Sequence, residues 1–357
     1  MSHHPSPLRR VAWTAAALGL AGLAGWAAAA AHLPLPWMLG PLFAIAILRV
    51  AGLPLRALPG GRQAGQWAIG TALGLYFTPA VLGELGRHTP AIGLMAGSAV
   101  VFGIVAARLL ERWARVTPAT AFFAGLPGGA SEMVVLAERH GGQVDRIAAA
   151  HALRVMLVVS VIPFALHHGA REGHETFRAL AGAVDWMRFP LLLAASLAGV
   201  ALFARLRIAN AWVLGPLLCV GGLTAANLPL TSLPGWVVNG GQLLLGTALG
   251  TRFSPSFFRA APRFLSVSAG ATVLTLVLCG LFVMALGGLI AIPVPSLLLA
   301  SSPGGMAEMS ITAREMHLSV PLVTATHVLR VVLLTACAPL LCRRYLAWRG
   351  AEGSGPG

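Results

Sequence analysis

Apolar residues run along this chain in stretches of roughly twenty, and each stretch ends in a short cluster of Arg, Pro, Gly or Asn. Such runs are longer than a strand and lack the single apolar stripe of a helix lying on a soluble core. They fall at 11–31, 35–52, 63–81, 89–110, 118–137, 146–168, 189–206, 209–227, 237–253, 264–291, 294–313 and 319–342. A helix needs about 20 residues to cross the roughly 30 Å of a bilayer's hydrocarbon, so the pattern predicts an all-α polytopic membrane protein with ten to twelve transmembrane segments. The most polar internal stretch carries Arg171, Glu172, His174, Glu175, Arg178 and Asp185. It reads as a linker, 169–188, between a membrane repeat at 11–168 and a second at 189–345, with short polar ends at 1–10 and 346–357. The first stretch has no small-residue cleavage site followed by a polar mature protein, so it is read as a span and not as a removed signal peptide.

The two halves repeat one another. Leu126-Pro127-Gly128-Gly129-Ala130-Ser131-Glu132-Met133 returns as Ser302-Pro303-Gly304-Gly305-Met306-Ala307-Glu308-Met309, and His151-Ala152-Leu153-Arg154 as His327-Val328-Leu329-Arg330. Gly70-Thr71-Ala72-Leu73-Gly74 returns at the same offset as Gly246-Thr247-Ala248-Leu249-Gly250. Trp37-Met38-Leu39-Gly40-Pro41 returns as Trp212-Val213-Leu214-Gly215-Pro216, one residue out of step. Four blocks in nearly one register establish an internal duplication.

Composition narrows the class. Of 357 residues 57% are hydrophobic and only 10% charged, too little polar surface for one or two soluble domains. All 25 basic residues are Arg and the formal net charge is +14. They are spread over short loops, which suits orientation in a membrane better than binding nucleic acid. Cys219, Cys279, Cys337 and Cys342 form no metal-binding pair and read as small buried hydrophobes. His167, His168 and His174 lack partner ligands at a metal-binding spacing. No metal, cofactor or enzymatic activity is expected.

Crossing all twelve segments leaves Arg only weakly biased toward the cytoplasm. Letting the two Pro-Gly-Gly segments enter and leave on one side strengthens that bias considerably, with both termini inside. Five crossings per repeat would turn the second repeat upside down, an arrangement typical of secondary transporters. Broken helices that do cross, with another short segment that does not, give the same odd number.

Pro127-Gly128-Gly129 and Pro303-Gly304-Gly305 should each interrupt a helix, since proline lacks a donor and glycine accepts unusual dihedrals. The freed backbone groups then need protein or a water-filled cavity around them. Glu132 and Glu308 would open the half-helices that resume after the breaks, with Ser131 beside the first. Each either caps its helix or acts as an ion group, carrying a proton when protonated or holding sodium when ionised. His151 and Arg154 share a helix face, as do His327 and Arg330. A buried guanidinium requires an anion or a set of carbonyls, and Glu132 and Glu308 are the obvious internal candidates. Closed pairs would be structural, whereas pairs that open would expose an anion site. The histidines read as packing elements or relays. Gly-Thr-Ala-Leu-Gly spaces two glycines for close helix packing, and Trp37 and Trp212 suit a membrane interface.

These paired blocks resemble the bacterial AbrB-type membrane protein family, whose hallmark is this duplication, over residues 11–345. The resemblance implies an inverted-repeat bundle of ten to twelve spans, similar to the cation:proton antiporter and anion transporter superfamily, with two broken helices crossing near the midplane. Members carry labels tied to ammonia oxidation or gene regulation. The first needs a redox metal and the second a soluble DNA-binding domain, and neither is evident here. The sequence therefore points first to a proton- or sodium-coupled secondary transporter of the bacterial inner membrane, without a nucleotide-binding loop, moving a small solute, with the buried Arg pair tilting the expectation toward an anion. A membrane sensor acting on gene expression through a partner is the alternative. Lipid, a small solute or ion, and a second copy of the chain are the expected partners, and nucleic acid is not.

Overall fold

The computed structural model describes residues 7–169, 183–290 and 292–353, and every regular element among them is a helix. The helices are α1 (Pro7–Ala30), α2 (Pro36–Val50), α3 (Gly61–Gly74), α4 (Pro79–Arg87), α5 (Thr89–Ala114), α6 (Pro118–Gly125), α7 (Ala130–Arg139) and α8 (Val144–Gly169). They continue as α9 (Phe189–Arg205), α10 (Ala211–Ala225), α11 (Gly235–Gly250), α12 (Pro255–Ala260), α13 (Pro262–Gly287), α14 (Val294–Ser301), α15 (Met306–Glu315) and α16 (Val320–Gly353). Prolines punctuate the starts: α2, α5, α6, α9, α13 and α14 all carry one at their first or second position, where its missing N–H removes no helical bond. Most of the polar linker, with His174, lies outside the described residues, as do the side chains of His167 and His168.

By length and composition α1, α5, α8, α13 and α16 can each cross a membrane, and α3 with α4, bent by 86°, forms a sixth candidate. The other apolar stretches are realised as shorter helices, such as α2, α9 and α10, or as broken halves. This is the architecture of a multi-pass membrane protein. Side chains of Leu23, Trp26, Val101, Val277, Leu281 and Met284 stay exposed, as lipid-facing positions should. Cys279 and Cys342 are buried as expected, but Cys219 is half-buried and Cys337 exposed. A thiol on a helix face turned to lipid has no desolvation cost to avoid, so burial was not required of it.

The chain folds as two compact units, and each takes one half of each sequence repeat. The first gathers α1–α3 with α9–α12, the second α5–α8 with α13–α16.

In the first unit the duplicated Gly-Thr-Ala-Leu-Gly blocks pack helices backbone to backbone, as their spacing predicted. A Cβ on Gly70 would lie 2.5 Å from the Val213 carbonyl, and one on Gly246 would collide with the carbonyl of Met38. Gly74 likewise abuts Leu217 and Val220, while Gly250 abuts Leu42 and Ile45. The same contact is thus made twice with the repeats exchanging roles, α3 on α10 and α11 on α2. Gly65 and Gly241 meet where α3 touches α11. Gly70→Ala and Gly246→Ala should each destabilise the protein by about 1–3 kcal/mol, because the obstacle is backbone and cannot rotate away. Thermal unfolding in detergent checks this, with Gly93→Ala, which meets nothing within 4 Å, as the comparison.

Candidate functional site

The second unit contains both predicted helix breaks. Helix α6 ends at Gly125, held so close to α5 that a Cβ there would lie 2.6 Å from the Gly103 carbonyl and 2.7 Å from the Ala107 nitrogen. The chain then runs extended through Leu126 to Gly129 before α7 resumes. Helix α14 ends at Ser301, and α15 resumes after Gly305. The motif glycines do not supply unusual dihedrals: Gly129 and Gly305 have φ of −65° and −75°. Their role is space. A Cβ on Gly128 would lie 2.8 Å from the tip of Met133, one on Gly304 2.7 Å from Met309, and one on Gly305 would strike the Glu308 carboxylate. This explains the Gly-Gly-x-x-Glu-Met pattern, because each buried Met tucks under the first glycine.

A half-helix ending inside the protein leaves its last carbonyls without partners. Those of α6 are met from α8. His151 Nε2 donates to the Phe123 carbonyl at 3.0 Å, Arg154 Nη1 to Ala124 and Gly125 at 3.2 and 3.1 Å, and Nη2 to Leu126 at 3.0 Å. Arg154 Nη2 also donates to His151 Nδ1 at 2.7 Å. The arrangement recurs from α16. His327 Nε2 donates to Leu299 at 3.0 Å, and Arg330 donates to the Ser302 and Gly304 carbonyls and to His327 Nδ1. In both rings one nitrogen faces an acceptor and the other a cation, which fixes the neutral Nε2–H tautomer. Each imidazole thus bridges its arginine and a carbonyl at the end of a half-helix. His151, Arg154, His327 and Arg330 are at most 6% exposed.

The arginines therefore do not pair with the glutamates: among the described residues, neither Arg154 nor Arg330 bonds Glu132 or Glu308. The partial negative charge at the end of each half-helix takes that place, concentrated on carbonyls that nothing else satisfies. Glu132 and Glu308 sit in the first turns of α7 and α15, at the positive ends of those half-helices.

A cavity with room for about one water is lined by Gly125, Arg154, Pro303 and the hydroxyl-bearing Ser268, Thr272 and Thr275. It touches the end of one half-helix and the break of the other. The Ser268 hydroxyl and the Arg154 Nε are buried without a hydrogen-bond partner, so bonding capacity remains at this point. Ser268, Thr272 and Thr275 were not anticipated. Their i, i+4, i+7 spacing in α13 is a polar stripe on an apolar helix, and that is the signal that could have found them.

The two half-helices differ in cover. Ser131 is exposed and is not among the residues that line the cavity, and Val135 is 49% exposed, while their counterparts Ala307 and Ile311 are buried at 6% and 0%. Away from the site, the ends of α5 and α16 are clasped by Glu111, which accepts from Tyr345 and Arg349 at 2.7 Å each, and Arg108 stacks on Trp348.

A family model described as "Transition state regulatory protein AbrB" matches residues 37–346. Among curated proteins, the chain is similar to "Uncharacterized protein YhjN" of Bacillus subtilis (strain 168), 26% identical over 85% of each chain. It is also similar to "Putative regulator AbrB" of Escherichia coli (strain K12), 25% identical over 88% of this chain and 91% of the relative.

Proposed function

We propose that this chain, which belongs to the AbrB family, is a secondary transporter of the bacterial inner membrane that moves a small solute by alternating access. The observation that carries the reading is the pair of interrupted helices in one unit, each with its severed carbonyls capped by a buried His–Arg pair. Broken backbone at membrane depth is expensive and is kept where it serves an ion or solute. The guanidiniums spend their donors on neutral carbonyls, so their charge leaves the neighbouring cavity positive and favours an anion. Glu132 and Glu308, at the positive ends of the half-helices, are the natural coupling groups for a proton or sodium. Inverted repeats with both termini cytoplasmic complete the proposal.

The test is substrate-dependent proton or sodium flux in proteoliposomes, over panels of organic acids, inorganic anions and amines. Flux driven by an imposed ion gradient supports transport. The printed name of the E. coli relative favours a second reading, a membrane component that regulates gene expression through a partner. Silence across the panels together with capture of a cytoplasmic partner would support that reading instead.

A further inference from the structure

The first unit holds a separate and far larger cleft of about 780 Å³. It forms where the start of α1, the end of α2 and the loop at 51–60 come together. Three guanidiniums line it, Arg10, Arg49 and Arg56, and no lining residue is acidic. The Nε of half-buried Arg49 is shielded from solvent and has no acceptor. The rest of the wall is largely apolar, including Leu18, Leu55 and Leu58. The repeat fold does not require the Arg49 charge, because Arg49 is matched in the second repeat by Thr224, whose hydroxyl is spent on the Val220 carbonyl at 2.8 Å. Arginines that only orient the chain in the membrane need neither an enclosing cavity nor a shielded Nε–H.

Cationic groups over an apolar wall, at the ends of two apolar helices, fit an amphiphile whose charged part sits at headgroup level. We infer that this cleft binds the phosphate of an anionic membrane phospholipid, with Arg10, Arg49 and Arg56 on the phosphate oxygens and the leucines against the first part of the acyl chains. Guanidinium–phosphate contacts are the strong, geometrically specific kind. A free phosphate would use the same arginines but would leave the apolar wall without a purpose.

The experiment takes the full chain in nanodiscs of phosphatidylcholine with graded phosphatidylglycerol and measures retained lipid by native mass spectrometry. Phosphatidylglycerol should be retained about tenfold over phosphatidylcholine, a difference that one lost charge-assisted contact can erase. Arg49→Gln and Arg56→Gln should each remove most of that preference, whereas Arg343→Gln, on the exposed end of α16, should not. Arg56 lies in an exposed loop, so its variant tests the idea even where Arg49→Gln folds poorly. Equal retention of the two lipids, or wild-type preference in both variants, overturns the inference. Displacement of phosphatidylglycerol by millimolar inorganic phosphate overturns it too, in favour of a soluble anion.

Discussion

Arg154→Ala is expected to cost the protein its fold before it costs any activity. The guanidinium satisfies the carbonyls of Ala124, Gly125 and Leu126, and alanine supplies no donor. Each buried carbonyl left unmet costs about 1–3 kcal/mol, and the adjoining cavity admits about one water, too few to replace three bonds. A total of about 3 kcal/mol or more is a large part of a typical stability of roughly 5–15 kcal/mol. Arg330→Ala removes two carbonyl bonds and should be somewhat milder. Lysine should rescue only in part, because a single ammonium cannot reproduce a planar fork that spans three carbonyls and a histidine ring. The measurements are the monodisperse fraction on size exclusion and the thermal midpoint in detergent. An Arg154→Ala protein that matched wild type in both would show that the α6 carbonyls are satisfied by other means, and would remove the structural basis for a break capped by Arg154.

How far the sequence foretold this arrangement depended on whether the relevant signal was local. The breaks at Pro127 and Pro303 were legible because proline acts on its own backbone, and the helices between them because apolar length is a local property, whereas the space that the glycines leave for Met133 and Met309 was not. The four-residue glycine spacing correctly indicated packing, although which helix each glycine would meet depends on tertiary pairing. The partner of Arg154 was not legible. A guanidinium in an apolar segment invites a search for a carboxylate, and Glu132 is the acid within an apolar segment that the first repeat offers. The real acceptors are backbone carbonyls, which every residue carries and no composition reveals. They become visible only once the end of α6 is known to lie against the His151–Arg154 face of α8. The division into two units was hidden for a similar reason, since each repeat is split between them and the apolar pattern carries no mark at residue 82 or 260.

Glu132→Gln and Glu308→Gln should behave in the opposite way to the arginine variants, leaving a folded protein that no longer couples. Glutamine keeps the size of the side chain and can still accept bonds from the first turn of a half-helix. What it loses is the charge–dipole term, about 0.3–1 kcal/mol, so the thermal midpoint should move by only a few degrees. A group that takes up a proton or holds sodium through its charge is disabled by the same change, and ion-coupled flux in proteoliposomes should disappear. The unequal cover of the half-helices sharpens the test. With Ser131 exposed and Ala307 buried, the first turn of α7 is uncovered and that of α15 is covered. Alternating access between duplicated halves would exchange those states in each cycle, so both glutamates would be needed in turn and either substitution alone should stop transport. Loss in only one variant would mean a permanently asymmetric site with a single working carboxylate. Full coupled flux in both would mean that these acids merely cap their helices, and the ion would have to be sought elsewhere, beginning with Ser268, Thr272 and Thr275.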